Sequence, residues 1–182
     1  INGNNPISGK PVMLEIVEKF TQPLTPEEMK TGEIIRDKGP AAFTDTPEKL
    51  QKLFLDNRWT DFLPVVLPTE ERVNEMLKGT SHDPDEVVGK MSPTNTGTYF
   101  EFWNYTVKDV AINAVMAGCK PEHLPLLLAV ASTGKEAISV SDNSFVGGLV
   151  INGNIRDEIG LNYDVGAVGP FAYANTTIGR AW

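Results

Sequence analysis

The sequence has very little cysteine and histidine, and it lacks any long hydrophobic run. Cys119 is the one cysteine among 182 residues, so no disulfide can form within the chain, which favours the cytoplasm but also allows an interchain bond. Cys119 and His123 are too few for a zinc site, which needs three or four ligands, and the other histidine, His82, lies in a polar turn. The longest apolar stretch, residues 124–131, is far shorter than the roughly 20 residues of a membrane-spanning helix. We therefore predict a cytoplasmic protein with no metal site and no membrane span, and the sequence indicates no particular cofactor.

Basic residues are outnumbered by acidic ones, which limits the partners that the chain can attract. The 16 lysines and arginines stand against 24 aspartates and glutamates, which gives a formal net charge of -8. The field of such a chain repels a phosphate backbone, so nucleic acid is not a predicted partner. Hydrophobic residues make up 41% and charged residues 22% of the chain, which is typical of a globular protein with a hydrophobic core.

Capping signals and hydrophobic periodicity predict alternating helices and strands. Helices are expected where a threonine precedes proline or acidic residues, or where proline opens an apolar stretch. Short apolar or β-branched runs between turn residues predict strands, whereas residues 12–20 are ambiguous between helix and strand. Helices are expected to begin near Thr25, Thr46, Thr69, Thr106, Pro121 and Ile155, strands at 62–67, 137–140 and 148–151, and a surface loop at 91–97.

This alternation predicts an α/β fold with a mixed sheet flanked by helices and preceded by an irregular N-terminal arm. The arm and a helical scaffold are expected in residues 1–61, and residues 62–182 are expected to form the α/β domain that carries the candidate site. Aromatic residues alternate with polar ones over residues 99–105, which predicts a strand or an interaction ridge.

The first candidate site surrounds Cys119. The residue lies between the end of one predicted helix and the start of the next, where the second helix and Lys120 favour the thiolate. His123 follows four residues later, within reach of the sulfur as a base or an ion-pair partner. Cys119 is therefore a candidate nucleophile or redox thiol, although a free cysteine among small residues is also typical of a buried hydrophobic position.

The second candidate is a glycine-rich stretch, residues 166–170, with the polar segment that follows it. Glycine allows close backbone approach, and Asn175 or Thr176 can begin a helix whose free N–H groups receive a carboxylate or phosphate, with Arg180 nearby. The spacing matches no established phosphate-binding motif, and ordinary turn chemistry explains it equally well. The residues expected to bind an anion here are Gly169, Asn175, Thr176, Thr177 and Arg180.

A third candidate is the turn at Asn152 and Gly153, which directly follows a predicted strand. Loops at the carboxyl ends of strands line the ligand crevice of α/β sheets, so this turn is expected to contribute to substrate binding. Asparagine and glycine are also the residues that plain turns prefer.

Several blocks in one order resemble largely uncharacterised bacterial proteins associated with the UGSC-type thiol or selenol proteins. The resemblance covers residues 62–181 and is carried by LPVVLPTEERV at 63–73, DPDEVVG at 83–89, AINAVMAGCKPE at 111–122, VING at 150–153 and ANTTIGRA at 174–181. It implies a thiol- or selenol-linked setting and a partner chain, and it supports a role for Cys119. The chain has no Cys-Gly-Ser-Cys motif, so the thiol centre is expected to belong to another subunit if the resemblance extends that far.

Together these features predict an enzyme subunit that acts on a small, anionic molecule by thiol-dependent redox or lyase-type chemistry. The segment around Cys119, the Asn152 turn and the glycine-rich stretch are expected to converge on one pocket. The alternative is a non-catalytic interaction subunit that supports a catalytic partner chain, and a small-molecule sensor or carrier is a third possibility. A homo- or hetero-oligomer is expected in either case.

Overall fold

The structure is a computed structural model that describes residues 3–23, 25–26, 42–91, 103–135 and 147–182. The chain divides into two compact units, Ile1–Ala42 and Phe43–Trp182. The predicted strand at 137–140 and most of the predicted helix from Thr25 and of the loop at 91–97 lie outside the described residues.

The first unit contains one described helix, α1 (Val12–Thr21), so the stretch that the sequence left ambiguous is helical. A turn precedes the helix and is closed by an antiparallel bridge between Asn4 and Pro11. The side chain of Asn5 accepts a hydrogen bond from the N–H of Ile7 and donates one to Glu15 over 2.7 Å, which ties the turn to the helix. No residue of α1 is buried within the described structure.

The second unit carries the remaining described elements. Its helices and strands are α2 (Pro47–Asp56), α3 (Glu70–Leu77), β1 (Val87–Met91), β2 (Trp103–Thr106), α4 (Val107–Ala117), a 3-10 turn (Pro121–His123), α5 (Leu124–Ser132), α6 (Ile155–Glu158) and α7 (Tyr173–Ala181).

Local capping chemistry sets the start of α3 and α4, as the sequence predicts. The hydroxyl of Thr69 accepts from the N–H of Arg72, and Thr106 and Asp109 form a reciprocal capping box. Gly118 ends α4 in the left-handed conformation, at a φ of 85°, which a side chain would disfavour. These two helix boundaries are confirmed because each depends on residues only a few positions apart.

The sheet is much smaller than the sequence predicts. β1 and β2 pair in antiparallel orientation, with Lys90 opposite Asn104, and form the one sheet within the described residues. The described chain is therefore mostly helical. The α/β prediction holds only in the coarse sense that helices and strands both occur, and the mixed sheet flanked by helices is not formed in this part of the chain.

The predicted strand at 62–67 is an irregular extended segment, because its backbone groups are satisfied outside any sheet. Gln51 on α2 accepts from the N–H of Val65 over 3.3 Å and donates to its carbonyl over 2.5 Å. The N–H of Val66 donates to the carbonyl of Met116 at the end of α4. Pro64 has no N–H to offer to a strand neighbour. The segment therefore bridges α2 and α4 instead of extending a sheet.

The predicted strand at 148–151 is also wrong. These residues are irregular, and the side chain of Val150 is 92% exposed, so the apolar run does not lie in a core. Apolar composition alone predicted burial here, but no neighbouring element among the described residues covers it.

The hydrophobic core is organised around α4. α3, α5 and α7 each pack against it, and the small side chains of Ala111 and Ala114 are fully buried at these contacts. Val73, Met76, Val107, Val115, Leu124, Leu127, Leu128, Ala174 and Ile178 are among the other buried members. No helix within the described ranges is long and apolar enough to span a bilayer.

Candidate functional site

Cys119 lies immediately after the left-handed Gly118 that ends α4. Its N–H donates to the carbonyl of Ala114 over 2.9 Å, and its thiol donates to the carbonyl of Thr177 on α7 over 3.3 Å. The hydroxyl of Tyr173, one helical turn earlier on α7, donates to the carbonyl of Gly118 over 2.5 Å. The residue therefore joins the end of α4 to one face of α7, and Thr177 is one predicted site residue that the structure brings next to Cys119.

The predicted thiolate is not favoured at Cys119. Burial raises the pKa of the thiol to about 11, because the charged form loses the solvation that it has in water. The helical segment begins at Pro121 as predicted, with a 3-10 turn over Pro121–His123 that continues directly into α5. Its nearness does not lower the pKa of the thiol, because burial is the largest influence on that pKa.

His123 does not act on the sulfur in this arrangement. The side chain is buried, and its Nδ1 accepts from the N–H of Lys120 over 3.2 Å. Burial lowers the pKa of the imidazole, which keeps it neutral at pH 7. The ring also lies beside Tyr173, with 6.3 Å between ring centroids. Among the described residues no hydrogen bond joins Cys119 to His123, so His123 shapes the turn that follows α4.

Alkylation of Cys119 should be slow in the folded protein. With a pKa of about 11 the thiolate fraction at neutral pH is about two orders of magnitude below that of an ordinary free cysteine, and the thiolate is the reactive form. Mass spectrometry after iodoacetamide treatment should show slow labelling at pH 7 that accelerates as the pH rises, and fast labelling of the urea-unfolded chain. The Cys119→Ser variant is the unlabelled control. Rapid labelling of the folded protein at pH 7 would contradict the raised pKa.

Asn175 braces the glycine-rich stretch instead of capping a helix. α7 begins at Tyr173, so Asn175 and Thr176 lie within its first turn, and the N–H of Thr176 already donates to the carbonyl of Ala172. The amide of Asn175 donates to the carbonyls of Asn162 and Ala167 and accepts from the N–H of Asn162. The predicted capping role is therefore wrong, and Asn175 holds the preceding turn against α7.

The remaining glycine and turn residues satisfy each other locally. The N–H of Gly169 donates to the carbonyl of Gly166 over 2.9 Å. Asn152 and Gly153 are exposed in the turn before α6, where Gly153 has a φ of 92°. Neither turn lines the cleft that contains Arg180 or the cavity beside His82. Neither of these two openings is therefore the single pocket that was predicted for Cys119, Asn152 and Gly169.

Arg180 lies in a cleft of about 330 Å³ between α4, α7 and the irregular segment after α2. Its Nε and Nη2 form a bidentate ion pair with Asp61, with both distances 2.8 Å, and Nη2 also donates to the carbonyl of Pro64 over 2.9 Å. These bonds lower the pKa of the Asp61 carboxyl, chiefly through the hydrogen bond from Arg180. The guanidinium is thus fixed in place, with about a quarter of the side chain exposed.

The rest of this cleft, here called the Arg58–Arg180 cleft, combines a second cation with an aromatic wall. Arg58 and Trp59 line it beside Asn113 and Met116 of α4. Arg58 has a φ of 57°, which places a bulky residue in the left-handed region. The N–H of Arg58 donates to the carbonyl of Leu55, whereas its side chain forms neither a hydrogen bond nor an ion pair within the described ranges. Sequence reasoning missed Arg58 and Asp61, because no local motif connects them to a residue more than a hundred positions away.

A larger surface cavity, of about 480 Å³, lies at the other end of α4. Val107, the first residue of α4, lines it together with Leu128 of α5 and Val88 of β1. His82 and Glu86 stand in its wall, with Nδ1 of the imidazole 2.9 Å from a carboxylate oxygen. The sequence placed His82 in a polar turn and assigned it no role, and the spacing of four residues to Glu86 was the available signal.

Comparison with known proteins does not assign this chain to a family. In the described part of the chain, no three side chains of histidine, cysteine, aspartate or glutamate come together as a metal-binding group. The resemblance to UGSC-type proteins stays a prediction from the sequence. No protein-family model, curated protein or solved structure matches the chain.

Proposed function

We propose that this chain is a binding subunit that takes a small carboxylate-bearing molecule into the Arg58–Arg180 cleft. The observation that carries the proposal is the unused Nη1 group of a fixed guanidinium. Arg180 donates its Nε hydrogen and both Nη2 hydrogens to Asp61 and Pro64. Among the described residues its Nη1 donates to no acceptor. A guanidinium already fixed in position loses little entropy when a carboxylate accepts a hydrogen bond from its Nη1.

The local charge favours an anion although the chain as a whole is acidic. The cleft holds two arginines against one aspartate, whereas the whole chain has a formal net charge of -8. Charges of one sign in a cleft with apolar walls raise the local concentration of an oppositely charged ligand. The excess positive charge supports binding of a monoanion rather than a highly charged phosphate ester.

The shape of the cleft supports a ligand with an apolar body. Trp59 is 47% exposed, and with Met116 and Val65 it offers an apolar surface beside the two cations. A volume of about 330 Å³ lies at the lower end of the range for small-molecule sites. An aromatic or branched carboxylate fits this combination of surfaces.

In this proposal the chemistry belongs to a partner chain. The raised pKa of Cys119 makes its own thiol a poor nucleophile at neutral pH. The resemblance to UGSC-type proteins supports a thiol-linked setting in which another subunit supplies the reactive group. Cys119 then has a structural part, since it fastens the end of α4 to α7.

Benzoate should stabilise the protein against heat, and the uncharged benzamide should not. Ligand that binds only the folded state raises the melting temperature according to its dissociation constant. Replacing Arg58 by Gln should weaken benzoate binding about tenfold or more, because a charge-assisted bond is lost, whereas Arg58→Lys should lose less. Differential scanning fluorimetry and isothermal calorimetry measure both effects.

Arg156→Gln is the matched control, since Arg156 pairs with Asp157 and lies over the Tyr163 ring, and it does not line the cleft. It should bind benzoate like the unsubstituted protein. Equal stabilisation by benzoate and benzamide would contradict an anion site in the cleft. Equal weakening of benzoate binding by Arg58→Gln and Arg156→Gln would contradict it as well.

A second candidate, the interaction subunit without a ligand, is favoured by the exposed apolar residues near the end of the chain. Val165, Val168 and Phe171 are each at least 89% exposed, and Tyr173 is 57% exposed. Such residues in one stretch are typical of a surface that another chain covers. If benzoate does not stabilise the protein, the interaction subunit becomes the favoured function.

A further inference from the structure

His82 and Glu86 form an oriented pair in the wall of the larger cavity. Nδ1 of His82 lies 2.9 Å from Oε2 of Glu86, and about half of each side chain is exposed. The carboxylate accepts hydrogen bonds only, so the imidazole nitrogen that faces it carries the proton when the ring is neutral. Nε2 is then the unprotonated nitrogen, and it is a hydrogen-bond acceptor.

The backbone around the pair is held in place from both sides. The hydroxyl of Thr80 accepts from the N–H of His82 over 3.2 Å. The carbonyl of Glu86 accepts from the N–H of Val107 over 3.0 Å, which attaches it to the start of α4. Gly79, just before this loop, is packed so closely on the carbonyl of Pro121 that a Cβ would overlap it. The acceptor on His82 is therefore presented from a braced turn.

The cavity beside the pair offers an apolar floor. Val88, Val107, Leu128 and Pro125 line it, and Val107 and Leu128 are themselves part of the buried core. Its volume of about 480 Å³ is ordinary for a small-molecule site. The site thus combines an apolar surface with one oriented hydrogen-bond acceptor.

We propose that this cavity binds a small apolar alcohol or phenol whose hydroxyl donates to Nε2 of His82. Its apolar part lies against Val107 and Leu128, and the Glu86 carboxylate maintains the tautomer whose Nε2 accepts a hydrogen bond from the hydroxyl. This site is separate from the Arg58–Arg180 cleft, and it takes an uncharged ligand. It does not depend on the function proposed for the cleft.

The probes are 4-ethylphenol and 4-ethylanisole, which share the apolar body but differ in the hydroxyl proton. Isothermal calorimetry and NMR titration of the full chain should show the phenol binding about tenfold more tightly, as one hydrogen bond contributes. The NMR chemical-shift changes should be largest for the residues that line the cavity. Equal affinity for the two probes, or binding of neither, would overturn the proposal.

Two substitutions separate hydrogen bonding from simple apolar binding. His82→Phe should retain the apolar floor and lose the preference for 4-ethylphenol. Glu86→Gln should also reduce the preference, because an amide can face Nδ1 with either its oxygen or its NH2 group and no longer selects one tautomer. Both positions are half-exposed, so circular dichroism should show an unchanged fold. A preference that persists in His82→Phe would rule out His82 as the acceptor.

Discussion

Replacing Leu124 by alanine should lower the free energy of unfolding by about 2–5 kcal/mol. Leu124 is the first residue of α5, it is fully buried, and it belongs to the core around α4. Truncation removes the transfer energy of the side chain and leaves a cavity that closely packed neighbours fill only in part. Urea unfolding followed by tryptophan fluorescence measures the loss from the shift of the midpoint at constant slope.

Leu55→Ala is the matched control for this prediction, since it removes the same atoms from a helix of the same unit. The Leu55 side chain is 40% exposed, so its truncation should lower the stability by less than about 1 kcal/mol. Equal losses at the two positions would mean that the core does not centre on the contact between α4 and α5.

Replacing Gly79 by alanine should destabilise the protein by about 3 kcal/mol or more. The new Cβ would overlap the carbonyl oxygen of Pro121, and Met76 O lies 3.2 Å away on another side. Both neighbours are backbone atoms, so neither can move aside by changing a rotamer. Relief requires α3 and the turn at Pro121–His123 to separate, and this opens the core. Thermal and urea unfolding of the variant measure the effect.

Gly179→Ala makes the same change where there is room for it. Gly179 lies within α7, and a Cβ there has no neighbour within 4 Å in the described structure. Alanine is the better helix former, so this variant should be more stable by up to about 1 kcal/mol. A stabilising or neutral Gly79→Ala would contradict the close approach of the two backbones.

The Gly79 substitution also bears on the His82 cavity. Gly79, Thr80 and His82 line that cavity, and the close contact with Pro121 fixes the point from which the loop leaves α3. If Gly79→Ala remains folded, its discrimination between 4-ethylphenol and 4-ethylanisole should weaken, because the acceptor nitrogen is displaced.

Helix positions were predictable where the decisive contacts are local. Thr69 and Thr106 begin α3 and α4 because their hydroxyls reach N–H groups three residues on. The apolar spacing of Leu124, Leu127 and Leu128 marked the buried face of α5 correctly. Each of these signals spans at most a few residues, which is the range over which a sequence is read directly.

Strands failed because their partners are remote. Residues 62–67 have a strand-like composition, but Gln51 and Met116 take their hydrogen bonds. Of the strands that do form, β1 was not predicted, and β2 overlaps residues 99–105, for which a strand was one of two alternatives. β-structure is defined by pairing, and pairing depends on a second segment that local composition does not identify.

The sequence alone determined the charge, the main helix boundaries and the apolar faces of α3, α4 and α5. The tertiary structure decided which groups meet: Arg180 pairs with Asp61, 119 positions away, and Cys119 donates to Thr177, 58 positions away. It also decided the state of the thiol, since burial raises its pKa, whereas the sequence led us to expect a pKa lowered by Lys120 and the following helix. Helix caps and hydrophobic periodicity depend on residues a few positions apart, whereas burial and long-range pairing exist only once the chain has folded.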